Sequence, residues 1–84
     1  MRNFFVTFRS VTFAQRGERV LQRAGISCRI QRTPRWMEEQ GCGYCLSLRA
    51  SSPLPAITLL REQQLPFRKV YVKFDNDTVE ELVV

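Results

Sequence analysis

A period of two in apolar and polar side chains marks four stretches of the chain, and a period near 3.6 marks two more. Phe4-Phe5-Val6-Thr7-Phe8 is β-branched and aromatic and reads as a strand. Ser10 or Thr12 then offers a helix N-cap. From Phe13 to Ala24 the apolar or small residues Phe13, Ala14, Gly17, Val20, Leu21 and Ala24 recur at the spacing of a helix with one buried face. Gly17 lies on that stripe, where its missing side chain predicts close approach to a sheet, and Gly25 is the expected stop. Ile26, Cys28 and Ile30 alternate with Ser27, Arg29 and Gln31 as a half-buried strand, ended at Thr33-Pro34-Arg35 because proline cannot donate to a ladder. Trp36 to Gln40 has no clear period and reads as a loop with at most one helical turn. Leu46 and Leu48 alternate with Cys45, Ser47 and Arg49 in a third strand. Ser51-Ser52-Pro53 opens a shorter helix carrying Leu54, Ile57, Leu59 and Leu60, which ends before Pro66. Val70, Val72 and Phe74 alternate with Lys69, Tyr71 and Lys73 in a fourth strand.

The order β-α-β-β-α-β predicts an α+β domain, a ferredoxin-like sandwich with a four-stranded antiparallel sheet and both helices on one face. Residues 1–76 form this domain, and the acidic tail 77–84 is either a short helix or an extra strand. Period two also assigns faces. Phe4, Val6, Phe8, Ile26, Cys28, Ile30, Leu46, Leu48, Val70, Val72 and Phe74 belong under the helices. Phe5, Thr7, Arg29, Gln31, Cys45, Ser47, Arg49, Lys69, Tyr71 and Lys73 belong on the opposite face.

That second face is basic and lightly aromatic. It suits plain solvated sheet, a homodimer interface around Phe5 and Tyr71, or an anion-binding surface. The net charge of +5 comes from 11 arginines and 2 lysines, and arginine suits planar anions and carboxylates. RNA-recognition modules share this topology but stack bases on aromatics of the third strand. Cys45, Ser47 and Arg49 stand at those positions, so nucleic acid is not the expected partner. With 84 residues the chain makes one domain with a small core. No apolar run approaches the ~18 residues of a membrane span, and the N-terminal stretch is too soon charged for a signal peptide. An odd cysteine count without an export signal points to free thiols in a reducing, cytoplasmic setting.

The chain has no histidine, which leaves cysteine as the side chain most easily tuned to react near neutral pH. Gly41-Cys42-Gly43-Tyr44-Cys45 places two thiols three positions apart, with glycines flanking the first. Three cysteines fall short of the four ligands of structural zinc within one chain, which leaves only a site shared between chains, and no metal or other cofactor is expected. A thioredoxin-like dithiol needs a helix after its motif, and here a strand follows. The remaining use is a nucleophilic thiolate near positive charge, with Arg32, Arg35 and Arg49 as candidate cations. A free thiol of pKa ~8.5 is about 3% thiolate at pH 7. A cation at ~4 Å contributes up to about 4 kcal/mol at an effective dielectric of ~20. Half of that shifts the pKa by roughly 1.5 units and brings the thiolate close to half the population. Beside these readings stand plainer ones: a turn with small cysteines, and an Arg35 paired with Glu38 or Glu39. Cys28 is most simply a small core residue.

Phe8-x-Ser10, Ala14 and Glu18 on the first helix, Gly25-Ile26, Thr33-Pro34-Arg35 and Cys42-Gly43 opening a strand resemble a small bacterial family of selenium/sulfur carrier-like proteins, over roughly residues 4 to 74. The resemblance implies a short α+β fold and a carrier role for Cys42, with Pro34-Arg35 shaping the loop. Gly41 stands where the family pattern suggests serine, and Cys45 where it suggests a small or apolar residue. Cys45 therefore becomes a candidate to resolve an adduct on Cys42 as a disulfide. The leading expectation is a carrier rather than an enzyme. Cys42 accepts sulfur or selenium as a persulfide-type adduct from a donor such as a cysteine desulfurase. Arg35 favours the thiolate, Cys45 assists release, and Pro34, Gly41, Gly43 and Arg49 line the binding side. The alternatives are an interaction module using the basic face and a Cys42–Cys45 dithiol protein.

Overall fold

The computed structural model describes residues 2–34 and 43–84. Its elements are β1 (Arg2–Thr7), α1 (Val11–Arg23), β2 (Cys28–Arg32), β3 (Tyr44–Ala50), α2 (Leu54–Glu62), β4 (Val70–Lys73) and β5 (Val79–Leu82). All four strand pairings are antiparallel, in the order β2-β3-β1-β4-β5. The expectation of a four-stranded sheet is thereby corrected to five. The fifth strand arises because residues 75–78 reverse the chain sharply. Asn76 Oδ1 accepts from the Thr78 amide and hydroxyl, and Asp77 sits at φ 66°. Thr78 O then accepts the Phe74 N–H at 2.8 Å, which starts the β4–β5 ladder.

α1 begins at its cap. Ser10 has extended backbone angles, and its Oγ accepts the Phe13 N–H at 3.2 Å. It ends with Gly25 at φ 80°, where the Gly25 and Ile26 amides bond back to Gln22 and Leu21 carbonyls. This is the double bond of a Schellman stop. α2 ends the same way with a less suited residue. Gln64 takes φ 56°, and the Gln64 and Leu65 amides reach the Arg61 and Leu60 carbonyls.

Both helices feed one core. Ala14 and Leu21 of α1 and Ala56, Ile57 and Leu60 of α2 cluster with Phe4, Val6, Phe8, Leu46, Leu48, Val70 and Val72. The side-chain alternation of the strands thus puts the predicted set under the helices. Leu54 departs from its expected place in this core. It is 60% exposed, because the helix buries Ala56, Ile57 and Leu60 instead. Gly17 lies close against the core. A methyl group there would meet Phe8 Cζ at 3.1 Å and Leu46 Cδ1 at 3.2 Å.

The face away from the helices carries a second, smaller cluster of Phe5, Cys45 and Tyr71, with Val79 packed against it. Phe5 and Tyr71 are each only 7% exposed. These two rings pack with Cys45 in that cluster.

α1 also covers the outer edge of β2. Glu18 Oε2 accepts the Ile30 N–H at 2.7 Å, and Gln22 Nε2 donates to the Cys28 carbonyl at 3.1 Å. Backbone groups that an edge strand leaves unpaired are thus taken up within the fold.

Candidate functional site

The connection between β2 and β3 rises from a hydrogen-bonded base. Arg32 stands opposite Tyr44 in the ladder, and one step beyond, the Thr33 N–H donates to the Gly43 carbonyl at 2.8 Å. The two chain ends of the connection are therefore held together where they leave the sheet. The half-buried Pro34 follows on one side. Gly43 stands on the other at φ 81°, and a Cβ there would meet nothing within 4 Å. Its glycine is required by backbone conformation, not by space. Arg32 folds its guanidinium over the Tyr44 ring at 5.8 Å from the centroid, which keeps a positive charge at the foot of the connection.

Cys42, Arg35 and Gly41 lie outside the described residues, as do Glu38, Glu39 and the helical turn expected between Trp36 and Gln40. What the structure does place are their neighbours. Cys45, on β3, is fully buried against Phe5 and Tyr71. Its ladder partners are Thr7 on one side and Gln31 on the other. Arg49 is exposed at the far end of the same strand. Six residue steps of extended chain, about 20 Å, separate it from Gly43. Arg32, and not Arg49, is thus the described cation at the base of the connection.

Cys28 is half-buried beneath α1, and its thiol donates to the Glu18 carbonyl oxygen at 3.7 Å. Burial, followed by the nearby Glu18 carboxylate, pushes this thiol up to about 11. It is protonated at neutral pH and belongs to the packing. Among the described residues no group of three or more His, Cys, Asp or Glu side chains gathers as a metal site. No helix among them is long and apolar enough to cross a membrane.

The arrangement offers a strand connection closed at its base, entered through a proline and left through a left-handed glycine, with a guanidinium at its foot. A family model described as "Putative Se/S carrier protein-like" matches residues 3–72. The chain belongs to this family. The match reaches from β1 into β4, and the β2–β3 connection of this chain falls inside it. No curated protein and no solved structure matches the chain.

Two groupings come together only through the fold. One is the Glu18 carboxylate on the β2 edge, which a helical period alone assigns to solvent or core without naming a donor. The other is a recess where Ser27, just before β2, meets Arg29 of β2 and Ser47 and Arg49 of β3. Its signal was present in the alternation of both strands, but only the pairing register brings the four residues together.

Proposed function

We propose that this chain is a carrier of sulfur or selenium whose acceptor is the Cys42 thiolate. The observation that carries this reading is the family match across residues 3–72. The closed base of the β2–β3 connection supports it, since the bond from Thr33 to Gly43 holds its two ends together where they leave the sheet.

In the transfer, the Cys42 thiolate attacks the terminal sulfur of a persulfide on a donor protein such as a cysteine desulfurase. The donor's sulfur–sulfur bond breaks, its cysteine leaves as thiolate, and a new sulfur–sulfur bond forms on Cys42. No external oxidant or reductant is consumed. Delivery to an acceptor nucleophile runs by the same exchange. Arg35 favours the thiolate, with Arg32 adding positive charge at the base of the connection. Pro34, Gly41 and Gly43 shape the approach. The complete burial of Cys45 favours a carrier with one working thiol over a Cys42–Cys45 dithiol protein.

The same reading places the protein in the cytoplasm, where thiols stay reduced. It takes the first six elements as a ferredoxin-like unit to which β5 has been added, a view supported by the strand order.

The test is incubation with a persulfide-loaded cysteine desulfurase, followed by mass spectrometry of the intact protein. A one-sulfur adduct that survives in Cys28→Ser and Cys45→Ala and vanishes in Cys42→Ser is the expected result. An alkylation profile that places the Cys42 pKa at or above the ordinary thiol value, with no adduct, overturns the reading.

A further inference from the structure

Away from the strand connection, the helix-free face holds a small basic recess of about 270 Å³ at the junction of β2 and β3. Ser27, Cys28, Arg29, Gln31, Ser47 and Arg49 line it. Arg29 is the ladder partner of Ser47, and the same register, with Cys28 opposite Leu48, sets Ser27 beside Arg49. The four positions form a quadrilateral with arginines on one diagonal and serines on the other. Cross-strand neighbours lie about 5 Å apart and alternate strand positions about 6.7 Å, so the two arginine Cα atoms stand roughly 8 Å apart. Long, forked side chains from those points can converge on one small group, with two hydroxyls between them and the Gln31 amide at the rim.

The charge in this recess is uncompensated. Both arginines are exposed, no carboxylate lines the site, and neither guanidinium makes an ion pair with a described residue. Two cations facing one recess repel each other, and an anion between them relieves that repulsion.

We propose that this recess binds a phosphoryl group. A phosphate dianion has more acceptor oxygens and more charge than a carboxylate, which matches two forked guanidinium donors together with hydroxyl donors. The volume falls below the ~300–1,000 Å³ of sites that enclose a whole small molecule, so the recess takes the anionic group alone. A mainly apolar cleft of about 370 Å³ adjoins it, shares Ser27 and Arg49 with it, and reaches Gly25, Pro55 and Ala56. The phosphoryl group therefore comes from one of two sources: free inorganic phosphate, or a phosphomonoester whose organic part lies in that cleft. This site does not depend on Cys42.

Titration of the full chain with inorganic phosphate, phenyl phosphate and acetate, followed by amide NMR shifts, tests the proposal. Saturable phosphate shifts centred on Ser27, Arg29, Ser47 and Arg49 are expected, with acetate at least tenfold weaker. Arg29→Gln and Arg49→Gln each weaken phosphate binding about tenfold, and the double variant abolishes it. Tighter binding of phenyl phosphate with shifts extending to Gly25 and Ala56 assigns the ester as the source. Equal binding confined to the recess assigns the free ion. Unsaturable shifts spread over all the arginines, or an unaltered titration in the correctly folded double variant, overturn the proposal.

Discussion

The Glu18 carboxylate of α1 accepts the backbone N–H of Ile30 on β2 at 2.7 Å, joining a helix to the open side of an edge strand. Hydrogen bonds to charged groups contribute about 1.5–3 kcal/mol, and this one is part-buried. Glu18→Ala is therefore expected to lower the unfolding free energy by about 2 kcal/mol in urea titration. Glu18→Gln, which keeps an acceptor without the charge, loses about 1 kcal/mol. A Glu18→Ala variant as stable as the parent would show that the contact contributes nothing.

The same carboxylate helps hold the Cys28 thiol near 11, after burial as the larger cause. A thiol raised from 9.0 to about 11 on folding keeps its proton longer in the native state than in the unfolded chain. Its contribution to stability is complete below pH 9.0 and is lost as pH rises through about 11. The parent should lose more stability across that window than Cys28→Ala does in matched unfolding curves. At pH 7.5 Cys28 should alkylate about 100-fold more slowly than an ordinary thiol, because its thiolate is scarcer by that factor.

Gly17→Ala sets two effects against each other. Alanine improves the helix by about 1 kcal/mol. Its methyl group, however, meets Phe8 and Leu46, which are fully buried, at 3.1 and 3.2 Å, and overpacking of that kind costs about 1–3 kcal/mol. Packing is expected to win, with a net loss of about 1 kcal/mol in urea unfolding. A stabilised variant would mean that α1 can rise off the sheet at this point.

Gln64 holds a left-handed conformation at the end of α2, at φ 56°. That geometry suits glycine and costs other residues roughly 1 kcal/mol or more. Gln64→Gly should therefore raise the melting temperature by a few degrees, equivalent to about 0.5–1 kcal/mol for a domain of this size. The Leu65 and Gln64 amide bonds that close the helix should persist in hydrogen exchange.

The helix-side face of the sheet was legible residue by residue. Phe4, Val6, Phe8, Leu46, Leu48, Val70 and Val72 all pack where alternation assigns them, because a strand has only two faces and one of them is covered. The tail was not. Val79-Glu80-Glu81-Leu82 is too short to show a period, and its state was decided by the turn at Asn76 and Asp77 and by pairing with β4. Leu54 misled for a related reason, since the apolar stripe of α2 runs through Ala56, Ile57 and Leu60 and leaves it outside. At the candidate site, alternation placed Cys45 on the helix-free face but could not tell that it is sealed there by Phe5 and Tyr71. Arg49 lies six residues after Gly43, and the extended strand between them turns that short interval into about 20 Å.

Glu18 and Gln22, by occupying the outer rim of β2, have a bearing on how copies of this protein can meet. If two chains joined through their β5 strands, the merged sheet would present at each extremity a β2 whose Ile30 N–H and Cys28 carbonyl are already taken. Further strand addition at β2 would first have to displace those two side chains, which disfavours growth beyond a pair.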